Sequence, residues 1–253
     1  MTTVGRVYIG LPAYNEEIAL PRLLKRIESL AESSQMAITA VIYNDGSTDA
    51  TATIASQWQG RVPVVLLDCP RNKGLGAGLH ALIDYAVTTG DADDILVVMD
   101  CDDTHDPAQI PEMLQAMAKG VDVVIASRFK SGASVRGVPL LRRMTALGAV
   151  ILFKLVHPVA GVWDYTCGYR AYRIGVLKGA VTRFRGRLVE EPGFACMVEM
   201  LLKLNSLGVR FAEIGLHLRY DQKPTESKMV VSSNMRRLLA LLVRWRWRGF
   251  EVA

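Results

Sequence analysis

Short apolar runs alternate with stretches of helical spacing through the first half of the chain. The runs near residues 6–11, 36–43, 62–67, 95–99 and 121–126 have the length and β-branched content of strands buried on both faces. Between them, Ile18, Leu23, Leu24, Ile27 and Leu30 recur every three or four positions, as do Leu75, Leu79, Leu82, Ile83 and Ala86. This rhythm predicts βαβ units joined by right-handed crossovers. The expected fold class is α/β, a three-layer sandwich around a mainly parallel sheet.

After Ser127 the rhythm breaks. A basic, glycine-containing loop over 128–137 leads into a predicted helix over 139–156. A short strand near 168–172, a helix over 194–205 and a strand over 209–216 follow. No internal repeat, low-complexity run or Pro/Ser-rich linker divides the chain. Residues 1–230 are therefore expected to form one domain, in which 1–126 bind one ligand and 127–230 shape the site for another. Residues 231–253 form a separate amphipathic, basic C-terminal segment.

Chemistry concentrates where the predicted strands end. The run Val97-Val98-Met99 stops at Asp100-Cys101-Asp102, Pro12-Ala13-Tyr14-Asn15-Glu16 follows the first strand, and Asn44-Asp45-Gly46-Ser47-Thr48-Asp49 follows the second. Polar residues at the carboxyl ends of neighbouring parallel strands line one crevice, the usual ligand site of an open α/β sheet. Asp100 and Asp102 suit Mg²⁺ or Mn²⁺, whose coordination shell substrate phosphates then complete. The other reading is a pair of turn or helix-capping aspartates before Pro107, with His105 a hydrogen-bonding loop residue. Asp45 likewise suits either hydrogen bonds to a base or ribose, or a structural turn. Residues 71–78 fit neither the Walker nor the dinucleotide spacing and read as close helix packing beside a nucleotide pocket.

Composition narrows the function classes. Half of the 253 residues are hydrophobic, enough for a large core, yet no uninterrupted apolar span is long enough to cross a bilayer. The best stretch, 144–162, is broken by Lys154, His157 and Pro158. With no secretory leader pattern at the N-terminus, the expected location is cytoplasmic. Cys69, Cys101, Cys167 and Cys196 are too scattered for a zinc or redox motif and are expected to be packed, reduced thiols. A formal charge of +5 is modest, but Arg128, Lys130, Arg136, Arg142 and Arg143 cluster, and so do Arg236, Arg237, Arg244, Arg246 and Arg248. Such clusters suit phosphate or an anionic membrane surface. Nucleic acid is not an expected partner, because the basic residues are not interleaved with aromatics.

These residues, in this order and spacing, resemble a known family. The segments 12–16, 44–49 and 72–74 and the Asp100-x-Asp102 pair are similar to the nucleotide-sugar-binding half of inverting family 2 glycosyltransferases, which have a GT-A (Rossmann-like) fold. Ser127-Arg128-Phe129, Arg142-Arg143, Asp164-x-Thr166-x-Gly168-Tyr169-Arg170, Arg219 and Ser227-Lys228 resemble the polyprenol-phosphate (dolichol-phosphate type) mannosyltransferases. The resemblance implies that Pro12, Tyr14, Glu16, Asp45 and Lys73 surround the nucleotide. It implies that Asp100 and Asp102 meet the metal, Mg²⁺ or Mn²⁺, and the diphosphate. Arg219 and Lys228 would close over the donor phosphates from a mobile loop, and Ser127, Arg128 and Arg142 would hold the acceptor phosphate. Thr104 departs from the pattern, standing where a metal-contacting glutamine or serine is common.

The implied reaction moves a hexose, mannose or glucose, from a GDP- or UDP-linked sugar to a polyprenyl phosphate with inversion. A phosphate monoester with a second pKa of about 6 is largely dianionic at neutral pH and needs no protein base. Transfer to a hydroxyl is the rival reaction, and it would make Glu199, Glu191 or Asp164 the base. A non-catalytic nucleotide-sugar-binding subunit is the rival outside enzymes. A lipid acceptor also requires contact with a membrane surface or a membrane partner subunit. The stretch 235–250, with Leu238, Leu239, Leu241, Leu242, Trp245, Trp247 and Phe250 among five arginines, has the profile of an interfacial helix. Residues 147–156 offer a second apolar surface.

Overall fold

The computed structural model describes residues 5–137, 140–220, 237, 238 and 242, with the side chains of 140–146 and 149 outside that description. Strands β1 (Val7–Ala13), β2 (Ile38–Asp45), β3 (Val64–Cys69) and β4 (Ile95–Val98) alternate with helices α1 (Leu20–Ser34), α2 (Thr51–Ser56) and α3 (Leu75–Thr89). Next come α4 (Ile110–Met117), β5 (Val123–Ser127), β6 (Ser134–Arg136) and α5 (Leu140–Val156). The series closes with β7 (Arg170–Arg173), α6 (Ile174–Arg183), α7 (Ala195–Ser206), β8 (Phe211–Gly215) and β9 (His217–Arg219).

Seven strands form the main sheet in the order β3-β2-β1-β4-β7-β5-β8. Pairings β1 with β2, β1 with β4, β2 with β3 and β5 with β8 are parallel, whereas β7 runs antiparallel to both β4 and β5. β7 therefore comes from the second half of the chain and is inserted into the sheet of the first. Its placement brings the carboxyl ends of β4 and β5 to the same edge with one strand between them.

Most of the predicted helix positions are buried, with two exceptions: Ile18 is 49% exposed because it precedes α1, where Leu20 faces the core instead, and Leu75 at the start of α3 is only half-buried. Leu20, Leu23, Leu24 and Ile27 of α1 and Leu79, Leu82, Ile83 and Ala86 of α3 are buried against strands whose own residues, Val7, Ile9, Leu96 and Val97 among them, are fully enclosed. The four cysteines are buried and unpaired, as the spacing predicts. Helices α2, α4 and α6 go beyond the elements predicted from the sequence. So does β6, inside the predicted loop over 128–137, because it exists only through its parallel pairing with the distant β9.

Two glycines on helices meet opposite surroundings. A Cβ at Gly76 would lie 1.9 Å from the carbonyl oxygen of Glu191, whereas one at exposed Gly179 would meet nothing within 4 Å. Gly179→Ala should raise stability by about 0.5–1 kcal/mol through helix propensity. Gly76→Ala should lower it despite the same propensity gain. Thermal melts of the two variants check this, and a stabilised Gly76→Ala would contradict the packing described.

Candidate functional site

β1 and β2 end side by side, with Ala13 paired to Asn44. Their following turns satisfy each other's backbone. The Asn15 N–H donates to Ser47 Oγ at 2.9 Å, and the Thr48 N–H donates to Asn15 Oδ1 at 2.8 Å. The Glu16 N–H donates to Thr51 Oγ1 at 2.8 Å and the Glu17 N–H to Asp49 Oδ2 at 3.1 Å. Asn15 itself has φ 55°, a left-handed conformation that asparagine tolerates. Much of the segment 44–49 is thus a clamp that shapes the crevice. Pro12, Tyr14 and Glu16 stand half-buried along its β1 wall.

Asp45 reaches the other way. Its two carboxylate oxygens accept the backbone N–H groups of Lys73, at 2.7 Å, and Gly74, at 2.9 Å. The loop before α3 is thereby held against β2. Gly46 permits this, with φ 69° and room for no side chain, since a Cβ there would lie 2.6 Å from the backbone of Arg71 and Asn72. Lys73 is exposed and lies on the wall of a cavity of about 540 Å³ at the carboxyl ends of β2 and β3, together with Tyr43, Asp68, His80 and Glu190. A second cavity, about 660 Å³ and bordered by Arg6, Glu28 and Arg61, lies at the opposite, amino end of β2 and β3.

Beyond β4, Asp102 is buried and its Oδ1 accepts the Thr104 hydroxyl at 2.7 Å and the Thr104 N–H at 3.2 Å. Asp100 is far more open, with its side chain 42% exposed. The buried His105 accepts the Asp100 N–H on Nδ1 at 3.1 Å and stacks on Tyr169 at 5.0 Å. A backbone N–H can only donate, so Nδ1 is the unprotonated nitrogen and His105 acts as a backbone acceptor. Between the two carboxylates the Cys101 thiol is enclosed, and burial pushes its pKa well up. Arg26 of α1 pins the rest of the turn, pairing with Asp103 and, at 2.8 Å, with Asp106. Asp100 and Asp102 carry hard oxygen donors of the kind Mg²⁺ or Mn²⁺ takes, though among the described residues no group of three or more His, Cys, Asp or Glu side chains could hold a metal ion by itself.

Arg219 arrives at this turn through the backbone. Its N–H donates to the Thr104 carbonyl at 3.0 Å, beside a bridge between His105 and Leu218. Lys228 and the rest of the predicted closing loop lie outside the described residues, as does the Arg142 side chain. Most of the C-terminal segment over 231–253 lies outside them too.

After β5, Ser127 is fully enclosed and its Oγ accepts the Phe129 N–H at 3.2 Å, so it stands behind Arg128. Arg128 donates from Nε to Asp164 Oδ2 at 2.8 Å and from Nη2 to Asp164 Oδ1 and Thr166 Oγ1, both at 2.6 Å. Burial opposes charge on Asp164, but the Arg128 guanidinium outweighs it and holds the carboxyl below its usual range. Asp164 and Trp163 in turn donate their N–H groups to Glu213 Oε1 at 2.6 and 2.7 Å.

The segment from Asp164 to Gly168 links the two centres. At one end it holds Arg128, and at the other a Cβ on Gly168 would lie 3.6 Å from Asp100 Oδ1. Arg170, 1% exposed, fixes it from below by donating to the carbonyls of Tyr165, Cys167 and Met197 at 2.7, 2.7 and 2.8 Å. Arg170, Thr166 and Glu213 belong to the site and carried no role in the sequence reading. Arg170 and Thr166 were visible in the Asp164-x-Thr166-x-Gly168-Tyr169-Arg170 pattern, whereas nothing near Glu213 in sequence marks it.

Glu199 lies apart from this centre. It is fully buried, with Oε2 accepting the N–H groups of Glu190 and Glu191 at 2.8 and 2.7 Å and Oε1 accepting Lys203 Nζ at 2.8 Å. Its role is to hold the segment that packs on Gly76. Glu199→Ala should therefore cost about 2–4 kcal/mol, because it strands two N–H groups and removes one partner of the buried Lys203 ammonium, which keeps Glu190 Oε2 at 2.8 Å and the Arg187 carbonyl at 2.6 Å. Acid unfolding tests the Asp164 pair. A carboxyl whose folded pKa is depressed adds stability above its unfolded pKa of about 4, and that stability is lost as pH falls through the folded value. Asp164→Asn should be less stable at neutral pH and show a shallower loss of stability below about pH 4.

The Glycosyl transferase family 2 pattern matches residues 8–179. The polyprenol monophosphomannose synthase of Mycolicibacterium smegmatis is 26% identical over 246 residues, which are 96% of this chain and 88% of that one. The undecaprenyl-phosphate mannosyltransferase of Micrococcus luteus is 29% identical over 251 residues, 97% of this chain and 98% of that one. Among solved structures, glucosyl-3-phosphoglycerate synthase from Mycobacterium tuberculosis, in complex with Mn²⁺, UDP and phosphoglyceric acid, superposes with a TM-score of 0.65. It is 20% identical, and the match covers 96% of this chain and 78% of that one. The chain therefore belongs to glycosyl transferase family 2 and has the GT-A fold of its glycosyltransferases.

Proposed function

We propose that the protein transfers a hexose, mannose or glucose, from a GDP- or UDP-linked sugar to a polyprenyl phosphate, with inversion and with Mg²⁺ or Mn²⁺. The observation that carries the acceptor is the state of the carboxylates a hydroxyl acceptor would need. Glu199 is fully buried with hydrogen bonds on both oxygens. Asp164 is fully buried, paired with Arg128 and held below its usual pKa, so it is a poor proton acceptor. Glu191 sits near Arg237 at 3.9 Å, its side chain 16% exposed. A phosphate dianion attacks without such a base.

Catalysis then reduces to alignment and charge stabilisation. Pro12, Tyr14, Glu16, Asp45 and Lys73 border the nucleotide. Asp100 and Asp102 would hold the metal, whose charge would offset that of the leaving diphosphate. Arg219 and Lys228 assist it from the closing loop, while Arg128, with Ser127 behind it, and Arg142 hold the acceptor phosphate. Relatives named for polyprenol- and undecaprenyl-phosphate mannosyl transfer favour the lipid acceptor. The neighbour solved with Mn²⁺ and UDP, and separately with Mg²⁺ and UDP, favours a divalent ion. Residues 1–230 act as one domain in this reading, which the insertion of β7 between β4 and β5 supports.

A lipid acceptor places the enzyme on a membrane surface, and α5 suits that position. One of its faces buries Val150 and Phe153, while the other exposes Leu147, Ile151 and Leu155 at 50%, 53% and 78%. The helix contains Arg142, Arg143 and Lys154 and no acidic residue. Trp163, 55% exposed, lies under Lys154 Nζ at 4.8 Å. Apolar, aromatic and basic groups together fit the interface of an anionic bilayer. No helix among the described residues is long and apolar enough to cross one.

Purified protein incubated with polyprenyl phosphate, Mg²⁺ or Mn²⁺ and labelled GDP-mannose or UDP-glucose should yield label extractable into organic solvent. Asp100→Ala with Asp102→Ala should reduce the rate by about a hundredfold or more. Undiminished turnover in that variant would refute the metal-assisted reaction. Ile151→Glu with Leu155→Glu should weaken sedimentation with vesicles containing phosphatidylglycerol by about tenfold and leave donor binding intact. Equal sedimentation of variant and wild type would remove α5 from the membrane contact.

A further inference from the structure

Arg128 stands at the end of β5 on the acceptor side, and its fork is already largely committed. A guanidinium has five N–H donors. The Nε–H and one Nη2–H go to the two oxygens of Asp164, and the other Nη2–H goes to Thr166 Oγ1. The Arg128 backbone N–H also donates to Asp164 Oδ2, at 3.0 Å. Nη1 is the part of the fork not committed to these partners. The Arg128 side chain is 27% exposed and that of Asp164 0%, so the pair opens to solvent on the arginine's side.

Asp164 is itself held against movement. Its Oδ1 accepts the N–H groups of Thr166 and Cys167 at 3.3 and 3.0 Å, and its own N–H is fixed by Glu213. We propose that Asp164 is the positioning residue of the acceptor site, locking the Arg128 guanidinium so that Nη1 alone is presented to the acceptor phosphate in one fixed direction. Two consequences distinguish this from a free arginine clamp. The paired guanidinium offers directed N–H groups with little net charge, so most of the attraction for the acceptor dianion comes from other cations. The orientation is also set before the acceptor arrives, which removes an ordering cost from binding.

This rests on the acceptor phosphate lying at Arg128, and the variants separate the two claims. Kinetics with a short-chain polyprenyl phosphate would compare Arg128→Ala, Asp164→Asn and the double variant, with nucleotide-sugar affinity measured without acceptor. Asp164→Asn should raise the acceptor KM about tenfold, change donor affinity less than about twofold, and add nothing to the loss already caused by Arg128→Ala. Because Asp164→Asn strands a buried charge, Thr166→Val gives a milder probe. It frees one Nη2–H, keeps the ion pair, and should raise the same KM about threefold. Losses that multiply in the double variant, or donor affinity falling in step with acceptor affinity, would overturn the positioning role. An unchanged acceptor KM in Arg128→Ala would overturn the acceptor site itself and the inference with it.

Discussion

A buried guanidinium that spends its hydrogen bonds on carbonyl oxygens holds this site together. Arg170, at the start of β7, donates to Tyr165, Cys167 and Met197 and so fastens the segment 164–168 to the first turns of α7. An arginine this enclosed is tolerated only when its donors are filled and countercharge lies close, and Asp164 contributes that countercharge. The segment it fixes lies beside Asp100 at one end and holds Arg128 at the other. The spacing between the carboxylates at the end of β4 and the arginine at the end of β5 thus depends on a residue that faces neither crevice wall.

The same division between holding and acting recurs in the donor half. The side chains of Ser47, Thr51, Asp49 and Asn15 accept the backbone N–H groups of Asn15, Glu16, Glu17 and Thr48, because two strands ending together leave turn N–H groups that must find acceptors. Asp45 does this for the loop before α3 while remaining at the crevice edge, since a carboxylate has more lone pairs than two N–H groups use. Thr104 is double in the same sense. Its hydroxyl orients Asp102 and its carbonyl anchors the strand that delivers Arg219. The turn after β4 and the strand carrying Arg219 are therefore joined through one residue.

Buried carboxylates divide by what surrounds them. Glu199 is saturated by Lys203 and two N–H groups, and Asp164 by Arg128 and its own loop. Neither retains the accessible basic lone pair that proton abstraction from a hydroxyl needs. Asp100, by contrast, keeps a side chain open to solvent beside Gly168. Exposure and hydrogen-bond saturation, which carboxylate spacing along the chain does not encode, separate scaffold from chemistry here.

The alternation of apolar runs and helical spacing determined by itself the α/β class, the core faces of α1 and α3, and the delivery of Asp45, Asp100 and Asp102 to one sheet edge. Those features follow from local periodicity and from strands whose residues are all buried, and both are written in consecutive residues. Only the tertiary structure decided that β7 inserts antiparallel between β4 and β5, that β6 exists through β9, and that Arg170 and Glu213 hold the segment from Trp163 to Cys167. Each of these depends on pairing between segments far apart in sequence, where the partner, and not the local pattern, supplies the hydrogen bonds.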